Sequence, residues 1–68
     1  MNWNTIEGRW KELKGNIKEQ WGELTDDEID QAEGKRDILL GKLQAKYGIA
    51  REEAEKQLDS WAEKLNLD

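Results

Sequence analysis

The stretch from residue 3 to residue 24, WNTIEGRWKELKGNIKEQWGEL, decides how this chain folds. Trp3, Ile6, Trp10, Leu13, Ile17, Trp21 and Leu24 step by three and four, which lays them along one narrow face of an α-helix. Asn4 with Glu7 three residues on is the reciprocal pattern of an N-terminal capping box. Gly22 follows Trp21 where a left-handed residue closing the helix belongs. The spacing predicts one helix from about Thr5 to Trp21.

Working outward, Thr25-Asp26-Asp27-Glu28 is a second capping box, with acids in the first turn where the helix dipole favours them. It opens a short helix to about Ala32, with Ile29 and Ala32 facing inward. Gly34 marks a break before a third helix from about Lys35 to Tyr47, whose apolar side is Leu39, Leu40, Leu43 and Tyr47. Gly48 closes that helix as Gly22 closes the first. A last helix runs from about Arg51 to Leu65, with Ala54, Leu58, Trp61 and Leu65 in register. Ala50 is a poor cap, so fraying of its first turn is expected. Proline, valine and phenylalanine are absent and no strand-like alternation appears.

The glycines expose a repeat. Gly8, Gly15 and Gly22 recur 26 residues later as Gly34, Gly41 and Gly48. The same shift brings Glu7 onto Glu33, Leu13 onto Leu39, Ile17 onto Leu43, Trp21 onto Tyr47 and Asp26-Asp27 onto Glu52-Glu53. Each half reads as long helix, glycine stop, short connection, acid-started helix. The expected architecture is all-α: a small bundle of four, or five, helices forming two helical hairpins packed across each other.

Gly8 and Gly15 fall opposite the tryptophan seam at about 100° per residue. Glycine inside a helix costs about 1 kcal/mol relative to Ala, so their presence asks for a reason. A solvated back face under weak pressure is the plain one. Helices kept easy to melt, or a bare groove for a partner helix, are the alternatives.

Length and composition bound the rest. Sixty-eight residues are expected to make a single domain, with marginal stability of roughly 3–5 kcal/mol. Without cysteine there are no disulfides or thiolate metal sites, and an intracellular compartment fits best. No signal-peptide pattern and no long apolar run appear, so no membrane association is expected. Charged residues make up 40% of the chain while the net charge is only −5, so both signs are interleaved as on a solvated helix surface. That acidic balance argues against nucleic acid as a partner.

Reactive chemistry is scarce. Without histidine the usual proton shuttle and commonest metal ligand are missing. The hydroxyls Thr5, Thr25 and Ser60 have no visible base, and adjacent acids such as Asp26-Asp27 point apart on a helix. Asp26, Asp27, Glu28 and Asp30 lack the spacing and central glycine of a calcium loop. The expectation is no enzyme, no catalytic residue, no cofactor and no specific metal site. The candidate interaction surface is the lysine flank Lys11, Lys14 and Lys18 with the bare Gly8 and Gly15 face. Its plainer reading is a solvated flank whose lysine stems cover aromatic edges.

With those residues laid out, the chain closely resembles the CsbD-like family of small bacterial stress proteins. The matching residues run Trp10-Lys11-x-x-Lys14-Gly15-x-x-Lys18-Glu19-x-Trp21-Gly22-x-Leu24-Thr25-Asp26-Asp27, then Glu33-Gly34-Lys35-Arg36, Leu39-x-Gly41-Lys42-x-Gln44 and Tyr47-Gly48. The likeness extends from about Ile6 to Trp61, with Ala50 a minor departure. It implies a cytoplasmic protein that rises under general stress or in stationary phase, built as two crossed helical hairpins. It brings no catalytic or ligand-binding residues. The composition also looks like that of hydrophilins. The leading expectation is thus a non-catalytic, monomeric stress-response protein. The alternative is a small helical module that docks an unknown protein partner.

Overall fold

The computed structural model describes residues 3–65. Five helices follow one another: α1 (Trp3–Gly8), α2 (Trp10–Gln20), α3 (Asp26–Ala32), α4 (Arg36–Tyr47) and α5 (Arg51–Leu65). Helix α3 packs against both α2 and α4, and α4 against α5. Two antiparallel hairpins, α2–α3 and α4–α5, thus cross with α3 between them, and α1 folds back as a flap.

The expected first helix is broken in two. Arg9 leaves the helical region at φ −110°, ψ 23°, and α1 is redirected against the turn between α3 and α4. The break is slight, because the Arg9 N–H still donates to the carbonyls of Thr5 and Ile6, both at 3.1 Å, and its carbonyl accepts from Leu13 at 3.0 Å. The seam therefore keeps its phase across the bend, which hides it from periodicity. Asn4 lies inside α1 rather than capping it. Gly22 does not take the left-handed conformation either. Among the described residues, positive φ belongs to Glu33, Gly34 and Gly48, and α2 ends through Trp21 at φ −126°, ψ 78°.

The other boundaries follow their signals. Thr25 Oγ1 accepts from the Glu28 N–H at 3.1 Å and Glu28 Oε1 accepts from the Thr25 N–H at 2.9 Å, so two orphan donors of α3 are satisfied reciprocally. Gly48 closes α4 at φ 61°. The 26-residue repeat carries into the secondary structure: it moves Trp10, the start of α2, onto Arg36, the start of α4.

Ile6, Trp10, Leu13, Ile17, Trp21 and Leu24 from the seam join Ile29, Ala32, Leu39, Leu40, Leu43, Ala54, Leu58 and Trp61 in one core, with Trp3 packed half-buried at its edge. Among the described residues no polar or charged side chain is buried. Full burial of a Leu or Ile contributes about 1.5–3 kcal/mol, so apolar burial is the main contribution that offsets the ordering of the chain. Tyr47 departs from its expected inward position. It is 36% exposed, and its hydroxyl accepts from the Glu23 N–H of the α2–α3 connection at 3.2 Å.

Candidate functional site

Lys11, Lys14 and Lys18 project from α2, but the structure uses them differently. Lys18 stands in the last turn of α2. Its ammonium donates to the carbonyl of Leu24 at 2.6 Å and, more distantly, to that of Gly22 at 3.5 Å, and so fastens the α2–α3 connection. Lys14 forms an ion pair with Asp30 of α3. That hydrogen bond holds the Lys14 pKa above its usual value, with Asp26 and Asp27 adding attraction and partial desolvation opposing. Both side chains of the pair are substantially exposed, so its contribution to stability is small. Lys11 is exposed on the same helix. The expected stripe is therefore two structural cations and one solvated one.

Gly8 and Gly15 face open space. A Cβ built on either meets nothing within 4 Å. Beside Gly8, where α1 bends into α2, lies a shallow groove of about 580 Å³ bordered by Glu7, Trp10, Lys11, Lys14, Asp30 and Glu33. Its charges are of both signs. Trp10 offers it no free donor, because its indole N–H is bound to the carbonyl of Ile29 at 2.9 Å. That carbonyl lies in the last turn of α3. The Glu33 N–H that would reach it in a longer helix bonds Asp30 instead.

The acidic stretch is likewise drawn into the fold. Glu28 caps α3 and pairs with Lys46 at 3.1 Å. Its carboxyl is held below the usual value, first by the Thr25 backbone N–H and then by Lys46. Asp30 holds Lys14. Among the described residues no group of three or more His, Cys, Asp or Glu side chains is arranged to hold a metal ion. Of the hydroxyls, Thr25 accepts from Glu28, while Ser60 is exposed on α5. No helix among the described residues is long and apolar enough to cross a membrane.

Sequence reasoning missed a clasp at Gly34. The Trp3 indole N–H donates to the Gly34 carbonyl at 2.6 Å. Gly34 is buried with φ 78°, and a Cβ there would stand 2.8 Å from Cγ and 2.9 Å from Cα of Glu7. Trp21 is tied in the same manner, its indole N–H donating to Gln57 Oε1 at 3.0 Å. The signal available was chemical: a buried indole needs an acceptor, and four tryptophans in 68 residues raise that need throughout the core.

Relatives of this chain share much of its sequence. UPF0337 protein NE2439 of Nitrosomonas europaea is 61% identical over 62 residues, covering 91% of this chain and 66% of that protein. UPF0337 protein YjbJ of Escherichia coli O6:H1 is 54% identical, covering 90% of this chain and 88% of its own length. UPF0337 protein RPA4217 of Rhodopseudomonas palustris is 56% identical, covering 90% and 92%. The CsbD-like family model matches residues 4–56, from α1 into the first turns of α5. Both glycine triplets, Gly34 among them, lie inside that match, and the chain belongs to the CsbD-like family.

Proposed function

We propose that this chain is a non-catalytic stress-response protein of the bacterial cytoplasm, a monomer in its main form, acting through abundance and hydration. One observation carries the reading: several of the polar side chains best placed to do chemistry serve the fold instead. Lys18 and the Trp3 and Trp10 indoles satisfy backbone carbonyls, Glu28 caps a helix, and the buried set is purely apolar. What faces water is a dense mixture of charges with a mean hydropathy of −1.09, which keeps a concentrated protein soluble. Membership of the family supports the stress role. The test is to dry a labile enzyme with and without the purified protein. Recovery above that given by an equal mass of an unrelated soluble protein is expected, and equal recovery refutes the reading.

The groove between Gly8 and Lys11 favours one second reading, a helical module that docks a protein partner there. Affinity capture from stressed cells separates the two: a stoichiometric, salt-sensitive partner lost on Lys11→Glu supports docking. The −5 net charge weighs against nucleic acid in either case.

A further inference from the structure

Helix α1 is joined to α2 by one residue, yet it docks on parts of the chain far away in sequence. Trp3 bonds Gly34, 31 positions on. It also meets the Trp61 ring edge-on at 6.4 Å, and Ile6 is fully buried. Nothing in these bonds requires that donor and acceptor belong to the same molecule. The seam Ile6, Trp10, Leu13 would continue unbroken if Arg9 became helical. That change rotates ψ of Arg9 by roughly 65°, from 23° to the ordinary helical value, and it swings α1 away from its own Gly34.

We propose that two copies of this chain exchange α1, each straightening into one helix from Trp3 to Gln20 and seating its Trp3 on Gly34 of the other. The occupant is fixed by the shape of the seat. Bare Gly34 accepts the main chain of Glu7, and an indole four residues earlier must reach its carbonyl, so α1 itself is the segment that fits. Exchange recreates the contacts of Trp3 and Glu7 at Gly34 and adds a regular hinge, a low-cost though slowly crossed route to a symmetric dimer. Two chains of net charge −5 repel at long range, so the exchanged dimer is favoured by high protein concentration and by salt. This goes beyond the functional reading above and stands independently of it.

Gly8→Ala and Arg9→Gly push the hinge in opposite directions. Alanine at position 8 enters open space and favours the straight helix, whereas glycine at position 9 disfavours it. The wild-type protein and both variants are unfolded, refolded at high concentration in moderate salt, and resolved by size-exclusion chromatography with light scattering. The expected dimer share rises several-fold for Gly8→Ala and falls for Arg9→Gly. In a dimer assembled from isotope-labelled and unlabelled chains, the Trp3 indole proton should show contacts to the Gly34 α-protons of the other chain. Three results overturn the proposal: Gly8→Ala remaining monomeric at every concentration, a dimer that trades chains within seconds of mixing, or Trp3–Gly34 contacts found within one chain alone.

Discussion

The Gly34 Cα sits directly beneath Glu7, so closely that a Cβ would come within 2.9 Å of the Glu7 Cα. Gly48 holds a similar left-handed conformation at φ 61° but has nothing within 4 Å of its Cβ position. The two glycines, equally legible as helix punctuation, differ in what surrounds them. Gly34→Ala should cost about 2–4 kcal/mol, combining conformational strain with overpacking against main chain. Gly48→Ala carries only the conformational part, about 1–2 kcal/mol. Urea denaturation of both variants checks the difference; equal losses would refute the packing role of Gly34.

Gly15 and Gly41 stand in the interiors of α2 and α4 with open space around them. Replacing either with alanine should stabilise the protein by about 1 kcal/mol. Thermal melts followed by circular dichroism should then rise by about 4–8 °C per substitution. A fall in melting temperature would show that the exposed face is misplaced.

The Thr25 hydroxyl accepts from the Glu28 N–H, and its removal leaves that donor without its cap. Thr25→Ala should lose about 1 kcal/mol, while Thr25→Ser keeps the bond and most of the stability. Chemical denaturation of the pair is the check. Equal stability of the alanine and serine variants would exclude a capping contribution.

Acid stability should depend on Glu28. Its folded pKa lies below the ordinary value of 4.5, first because of the Thr25 backbone N–H. Its contribution is therefore complete above the unfolded value and is lost as pH falls through the lower, folded one. Glu28→Gln should flatten the stability profile below about pH 4.5 while leaving its slope near neutrality unchanged. Lys14 acts at the opposite end. Its pKa is raised by Asp30, so its contribution is present below the unfolded value of 10.5 and fades as pH climbs past the folded one. Stability curves for Glu28→Gln and Lys14→Met across both limbs test the signs.

Most of the helices were legible because their signals are local. The Thr25 box, the Gly48 closure and the inward set Ile29, Ala32, Leu39, Leu40 and Leu43 need only neighbours within a turn or two. The bend at Arg9 was not legible, since its cause is the long-range attachment of Trp3 and Glu7 to Gly34, and the seam keeps its phase across it. The end of α2 misled for a related reason: the connection after it is held by Lys18, which donates to the carbonyls of Gly22 and Leu24, in place of a left-handed glycine. At the candidate surface, the grouping of Lys11, Lys14 and Lys18 on one flank was readable. Their division of labour was not, because Asp30 lies on another helix.

A hydrocarbon interior has no preferred alignment of its own; oil slides on oil. In this chain the keys that set how one rod meets the next are the polar edges of its indoles, where Trp10 meets Ile29, Trp3 meets Gly34 and Trp21 meets Gln57. Exchanging Leu39 for Met would therefore alter how firmly the helices hold together, whereas trading an indole for a phenyl ring would loosen where they hold.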